Sequence, residues 1–191
     1  MNQTYVVNKF GLALNIESRV VREVILLAGF NLLLVATANI AIPLPFTLVP
    51  ITGQTFGVLL AAMALGSSRG VAVIALYLAE GAAGLPVFAG GAGGVQHFFG
   101  PTGGYLLGFL PAAWMVGALA ERGWDRSYFK SLFTLFAGTA LIFISGLSWL
   151  TNWYPEPALV LAAGLYPFIP GALIKIAAAF SLIPSLAKLT K

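Results

Sequence analysis

The chain has 191 residues, of which 59% are hydrophobic and only 8% are charged. A soluble domain carries about 25% charged residues, so this composition excludes an ordinary water-soluble protein and predicts one embedded in a membrane. The absence of cysteine excludes disulfide bonds and thiolate metal sites. From this length and apolar composition we expect one membrane domain over residues 1–191. We expect neither a metal nor a cofactor.

Six apolar segments follow one another along the chain and predict an all-α integral membrane protein with six transmembrane helices. The apolar runs are continuous, which favours helices over the alternating pattern of an outer-membrane barrel. Prolines, glycines or charged turns separate the segments. The predicted spans are residues 24–42, 55–65, 71–83, 105–119, 132–150 and 171–186. The second span is short, so part of the loop PLPFTLVPITGQ before it is expected to dip into the protein.

The basic residues test this count independently. With six crossings, nine of the ten Lys and Arg residues fall on one side of the membrane, namely Lys9, Arg19, Arg22, Arg69, Arg122, Arg126, Lys130, Lys188 and Lys191. The positive-inside rule makes that side cytoplasmic, which places both termini in the cytoplasm of a multi-pass protein of the cell membrane. Topology and contact with membrane lipid explain the net positive charge, and nothing indicates binding to nucleic acid.

The connection at residues 84–104, GLPVFAGGAGGVQHFFGPTGG, is the most unusual segment. Its eight glycines exclude a stable helix, and irregular backbone cannot face lipid. Phe88, Phe98 and Phe99 give it more apolar weight than a solvated linker needs. We interpret it as a lid over a binding site on the outer face, in which Gly93 and Gly94 supply backbone freedom.

Two ionisable residues lie within predicted spans, Glu80 in the third and Lys175 in the sixth. A charge in a membrane interior normally faces a cavity or a partner. The alternatives are a lysine that reaches the interface and an uncharged carboxyl near a helix end. His97 is more typical of a loop surface than of a ligand or a catalyst.

Enzyme motifs are missing. GGAGG follows no strand and precedes no Gly-Lys-Ser/Thr sequence, so it is not a phosphate loop. Ser148 follows Gly146 but lacks the second glycine of a nucleophile elbow, and Asp125 is the sole aspartate, which excludes a paired-aspartate protease. The sequence predicts a protein that is not an enzyme. Because no ATP-binding motif is present, the energy for any uphill transport must come from a partner.

Four sequence blocks resemble those of the BioY family, the biotin-specific S components of energy-coupling factor (ECF) transporters. In chain order they are PLPFTLVPITGQTFGVLLAAMALG, YLAEGAAGLPVFAGGAGG, GPTGGYLLGF and PFIPGALIK. The resemblance covers about residues 20–188. It implies the S-component fold, biotin binding from outside, and work with a transmembrane T component and two ATPase subunits. Rival interpretations are an S component for another vitamin and an intramembrane enzyme.

The resemblance also implies site residues. Gln54 matches a position that holds the biotin head group, Thr52 stands beside it, and Lys175 matches the lysine of a P-G-D-x-x-K block. Ala172 replaces the aspartate of that block. For docking of the T component, Thr37 and Ala41 form an imperfect small-x-x-x-small pair that still permits close helix approach.

Biotin has compact fused rings, a polar ureido group and a carboxylate tail, so its site needs a few polar groups in an aromatic pocket. The predicted substrate-binding side chains are those of Gln54, Tyr77, Phe88, Tyr105, Trp149, Asn152 and Lys175. We further hypothesise that Glu80 replaces the missing aspartate, either by pairing with Lys175 or by accepting a ureido hydrogen bond.

The topology generates a first prediction. A cysteine introduced as Asp125→Cys is the only thiol of the chain, and we expect it to resist a membrane-impermeant thiol reagent added from outside, because residues 121–130 form a cytoplasmic connection. The measurement is labelling in intact cells compared with opened cells. Equal labelling in both would contradict the six-crossing topology.

Overall fold

The computed structural model describes residues 18–189, with side chains up to residue 182. The predictions on the two chain termini, and on Lys9, Lys188 and Lys191, fall outside the described residues or side chains.

Helices dominate the described chain, as continuous apolar runs require, because a helix satisfies its own backbone hydrogen bonds. The elements are α1 (Arg19–Asn39), β1 (Ala41–Ile42), β2 (Ile51–Thr52), α2 (Gln54–Ala82), α3 (Gln96–Phe99), α4 (Gly103–Glu121), α5 (Tyr128–Leu150), α6 (Pro157–Gly164) and α7 (Ile169–Leu189). The strands β1 and β2 pair antiparallel, with Ala41 opposite Thr52. They close a hairpin around the proline-rich segment 43–50.

Five of the described segments are long and apolar enough to cross a membrane: Arg19–Asn39, Gln54–Ala82, Gly103–Glu121, Tyr128–Leu150 and Pro157–Leu182. Four of the six predicted spans correspond to one of these each. The last described segment begins at Pro157 rather than at residue 171, because it also includes α6. The predicted spans 55–65 and 71–83 fall within the single element α2. A single non-helical residue, Gly66, separates the two spans inside this element. It is the first residue of GSSRG, the sequence predicted to form the turn between them.

Gly66 reverses the direction of the chain. Its φ of 81° and ψ of −177° are non-helical, a combination that is essentially confined to glycine. The side-chain nitrogen of Gln54 donates to the Tyr77 hydroxyl at 2.6 Å, whereas a straight helix would separate these residues by about 35 Å. Helix α2 thus consists of two antiparallel arms, residues 54–65 and 67–82.

Polar contacts define one end of the helix bundle. The Arg69 Nε donates to the Glu23 carboxylate at 2.7 Å, which joins the reversal in α2 to the start of α1. The Ser67 backbone nitrogen donates to the Glu121 carboxylate at 2.7 Å, which adds the end of α4. The hairpin β1–β2, the segment 84–102 and the segment 151–168 lie toward the opposite end. Among the described Lys and Arg side chains, that of Lys175 belongs to this opposite end.

Small residues allow the helices to pack closely. A Cβ atom added at Gly104 or Gly108 of α4 would collide with Trp149 or Ser145 of α5, and one added at Gly138 of α5 would collide with Leu59 of α2. Close backbone approach through small residues is the usual way in which membrane helices associate. This packing fixes the relative positions of the helix ends that surround the site.

The reversal generates the second prediction. We expect Gly66→Ala to destabilise the protein by about 1–3 kcal/mol, because a side chain makes this backbone conformation unfavourable. The measurement is thermal unfolding in detergent. Gly29→Ala is the matched control, since a Cβ atom at Gly29 meets nothing within 4 Å. Equal stability of the two variants would contradict a conformational requirement at residue 66.

Candidate ligand-binding site

A cavity of about 290 Å³ opens at the end opposite the Arg69–Glu23 pair. This volume lies near the lower limit of small-molecule pockets, which begin at about 300 Å³. Its lining consists of Leu48, Val49, Pro50, Thr52, Gln54, Thr55, Phe88, Ala89, Ala92, Gln96, His97, Gly100, Pro101, Thr102, Tyr105, Leu106, Phe109, Ile142, Phe143, Phe168 and Lys175. Among these described residues no side chain is acidic.

A hydrogen-bonded polar group forms one wall. The Thr52 hydroxyl donates to Gln54 Oε1 at 2.9 Å, and Gln54 Nε2 donates to the fully buried Tyr77 at 2.6 Å. The Lys175 ammonium donates to the Thr52 backbone carbonyl at 2.9 Å. The group depends on the reversal at Gly66, since that reversal brings Tyr77 beside Gln54. It presents the remaining amide and ammonium donors, and the hydroxyl oxygen of Thr52 as an acceptor, to a small ligand.

Aromatic side chains form the rest of the wall. Tyr105 and Phe109 share one face of α4, because residues four apart lie above one another on a helix. Phe143 of α5 meets the ring of Tyr105 edge to face, with centroids 6.4 Å apart. The Tyr105 hydroxyl donates to the Gly164 carbonyl at 2.8 Å. Tyr105 therefore contributes its ring, rather than its hydroxyl, to the cavity. The surface is suited to an apolar ring system with polar substituents.

The segment 84–102, which we call the lid, covers the cavity. Its Phe88 is buried and fits against Gly81 of α2, where any side chain would collide with the Phe88 ring. The Gly94 nitrogen donates to the Gly81 carbonyl at 2.7 Å, with Gly94 at a φ of 109°. A backbone hydrogen bond and the buried ring of Phe88 therefore hold the lid against the end of α2.

The structure brings five of the predicted site residues to the cavity lining: Thr52, Gln54, Phe88, Tyr105 and Lys175. Tyr77 lies behind Gln54, and Gly93 and Gly94 shape the lid without lining the cavity. Trp149 donates its indole N–H to the Gly100 carbonyl at 3.0 Å. Asn152 is exposed and donates to the Trp149 carbonyl at 2.7 Å, so neither of these two side chains lines the cavity.

The hypothesis that Glu80 pairs with Lys175 is wrong in this structure. The Glu80 carboxylate accepts from the Asn31 amide nitrogen, at 2.9 Å to Oε1 and 2.8 Å to Oε2. Asn31 lies on α1 and is buried, so Glu80 joins α1 to the second arm of α2. The reason is helix rotation, because two side chains within neighbouring spans meet only where their helices turn them toward each other. Glu80 also lies outside the cavity lining.

Thr37 and Ala41 do not form a continuous helix face. Thr37 is buried, and its hydroxyl donates to the Leu34 carbonyl at 2.9 Å. Side chains added at Gly53 or Gly57 would collide with Thr37, which therefore packs inside the chain. Ala41 lies in β1, beyond the end of α1. Docking of a partner through this pair stays a prediction.

Sequence reasoning missed much of the aromatic wall, including Phe109, Phe143 and Phe168. A signal for Phe109 existed, since Thr102, Tyr105, Leu106 and Phe109 follow helical spacing directly after the lid. No comparable signal separates Phe143 or Phe168 from residues that face lipid. His97 lines the cavity as well and meets Phe88 edge to face, with centroids 5.8 Å apart. Within the described part of the chain, no cluster of His, Asp or Glu is suited to hold a metal ion.

Comparison with known proteins identifies the family. The Thermotoga maritima biotin transporter BioY is 38% identical over 171 residues, which cover 88% of this chain and 97% of the relative. The Rhodobacter capsulatus biotin transporter BioY is 38% identical over 81% of this chain and 87% of the relative.

The fold is similar to the crystal structure of the S-component for biotin from an ECF-type ABC transporter, with a TM-score of 0.82 and 28% identity. That similarity covers 90% of this chain and 94% of the other. The model of the BioY family matches residues 3–191. This chain therefore belongs to the BioY family.

Proposed function

We propose that the protein takes up biotin, as the S component that captures this vitamin at the outer face of the cell membrane. The observation that carries this function is the cavity of about 290 Å³, which combines an aromatic wall with a compact group of polar donors. Fused apolar rings with a ureido group and a carboxylate match that combination. The relatives are transporters rather than enzymes, and the protein is accordingly a multi-pass membrane transporter.

The residues that line the cavity are the proposed ligand contacts. Thr52, Gln54 and Lys175 supply hydrogen bonds, and Phe88 and Tyr105 supply apolar contact. Tyr77 fixes the rotamer of Gln54 through the 2.6 Å hydrogen bond. Trp149 acts indirectly, because its indole N–H donates to the Gly100 carbonyl near the junction of the lid and α4. Glu80 and Asn152 contribute to the surrounding framework.

The proposed topology has six crossings with both termini in the cytoplasm. Its support is the reversal at Gly66, which gives α2 two antiparallel arms and so two crossings, and the location of Arg69 at the reversal. The arms are about 18 and 24 Å long, so the lid and the hairpin β1–β2 complete the outer part of the bundle. The cavity then faces outward, as capture of an external vitamin requires.

The proposed partners are the membrane-embedded T component and two ATPase subunits of an ECF module. The sequence contains no ATP-binding motif of its own, so uptake against a gradient depends on hydrolysis elsewhere. The structural similarity to the S-component for biotin from an ECF-type ABC transporter supports this assembly. Biotin itself is the transported substrate, and no resident cofactor is required.

Equilibrium binding tests the function. We expect the full chain, purified in detergent, to bind labelled biotin with a Kd below micromolar, because aromatic contact and several hydrogen bonds act together on a preformed site. The controls are other vitamins, such as thiamine and riboflavin, which lack the combination of fused rings, ureido group and carboxylate tail. Biotin binding no tighter than that of these controls would contradict the function.

The lid generates a further prediction. We expect Gly94→Val to weaken biotin binding, because valine disfavours a φ of 109° and would collide with Gln96. We also expect Gly93→Val to weaken it, because the side chain would collide with the Leu85 carbonyl. The measurement is the Kd for biotin together with the thermal stability of each variant. Normal binding by both variants would show that the lid is an ordinary loop.

A further inference from the structure

We propose that Asn31 and Glu80 are positioning residues for the lid. Their hydrogen-bonded pair holds the end of α2 against α1, and the lid closes on that fixed support. The pair lies outside the cavity lining, so it acts through the lid rather than by touching the ligand. The consequence for biotin rests on the proposed function, whereas the effect on the lid is measurable without any ligand.

The pair is a connection between two helices. Both oxygens of the Glu80 carboxylate accept from the Asn31 amide, at 2.9 and 2.8 Å, and Asn31 is only 6% exposed. The pair between Arg69 and Glu23 joins the same two helices, about eleven residues or roughly 16 Å farther down the second arm of α2. This arm is therefore held to α1 at two separated points, of which the Asn31–Glu80 pair is the one beside the lid.

The lid is attached to the residues that this pair holds. The Leu85 nitrogen donates to the Glu80 carbonyl at 3.1 Å, and the Gly94 nitrogen donates to the Gly81 carbonyl at 2.7 Å. The Phe88 ring fits against Gly81. A shift of the second arm at Glu80 therefore displaces both backbone attachments and the surface on which the Phe88 ring packs.

Helix α1 supports the covers of the cavity from the other side. A Cβ atom added at Gly91 of the lid would lie 3.7 Å from Asn39 Oδ1, so the end of α1 lies against the lid. The Gly53 nitrogen donates to the Ile40 carbonyl at 3.0 Å, which ties the hairpin β1–β2 to the same end. Asn31 lies about two turns before that end. Fixing α1 against α2 thus keeps the lid and its support together.

The donor pattern separates a role in hydrogen bonding from a role of the charge. The Asn31 Oδ1 is buried and has no hydrogen-bond partner among the described residues. A glutamine at position 80 can accept from the Asn31 amide through its oxygen and donate to that Oδ1 through its nitrogen. Glu80→Gln therefore keeps the pair and removes the charge. Any role of the charge itself, such as attraction of a cationic group, is lost in the same variant.

The experiment measures hydrogen exchange of the lid amides in the ligand-free full chain, and release of labelled biotin from the loaded protein. We expect Asn31→Leu, which keeps the side-chain size and removes the donor, to speed both processes roughly three- to twentyfold. This range corresponds to one interhelical hydrogen bond in a membrane protein. We expect Glu80→Gln to stay within about twofold of the wild-type protein in both.

Exchange of donor and acceptor provides a rescue. Asn31→Asp alone places two carboxylates against each other, which is unfavourable, and is expected to speed both processes at least as much as Asn31→Leu. Combined with Glu80→Gln, it forms a pair of the same total length in which the longer side chain donates and the shorter one accepts. We expect the double variant to return to within about threefold of the wild-type rates.

Ser131→Ala is the matched control. Ser131 is buried, and its hydroxyl donates to the Trp124 carbonyl at 3.0 Å, so this variant loses one buried hydrogen bond at the end of the bundle away from the lid. We expect a lower thermal stability with wild-type lid exchange and biotin release. Acceleration of both processes as large as in Asn31→Leu would overturn the proposal, because general destabilisation would then explain the effect.

Three other results would overturn the proposal: wild-type lid exchange in Asn31→Leu, fast lid exchange in Glu80→Gln, and no recovery in the double variant. If the Asn31 variants fail to fold, folding of the double variant supports the proposal and its failure to fold overturns it. A wild-type protein that does not bind biotin, but whose lid exchange responds to these variants as expected, would reject the proposed function and support the positioning role.

Discussion

The hydrogen bond between Gln54 and Tyr77 depends on one backbone conformation, that of Gly66. Without the reversal at this residue, the two arms of α2 would point away from each other, and the start and end of α2 would lie at opposite faces of the membrane. With it, Thr52 before the first arm and the lid after the second arm meet at one end. The polar group and the cover of the cavity are therefore consequences of the same turn.

The contacts at the other end of the bundle stabilise this arrangement. Glu23 binds Arg69, and Glu121 binds Ser67, so the residues that flank Gly66 are held by carboxylates from α1 and α4. Gly117 of α4 lies against Gly66 and Ser67 so closely that any side chain there would collide with them. The charged end thus fixes the turn, and the turn fixes the site at the far ends of the two arms.

Much of this organisation could be predicted from the sequence, and the remainder has a physical reason. Continuous apolar runs indicate helices, the bias of Lys and Arg indicates which connections share a side, and glycine with phenylalanine identifies the lid. The sequence does not indicate which face of one helix contacts another helix, because that depends on rotation about the helix axis. That is why the sequence places Glu80 within a span but does not indicate its contact with Asn31, and why it does not separate Phe143 from residues that face lipid.

Phe88 has a kinetic consequence for exchange of the ligand. Its ring is only 2% exposed, and it contacts the rings of Tyr77, His97 and Phe98. Lifting the lid exposes this ring to water, at a cost of about 1.5–3 kcal/mol for one large apolar side chain. The open state becomes roughly ten- to a hundredfold rarer through this residue alone. Any exchange that requires the lid to open is slowed by this factor in both directions, so a captured molecule stays long enough for a slower step to act on it.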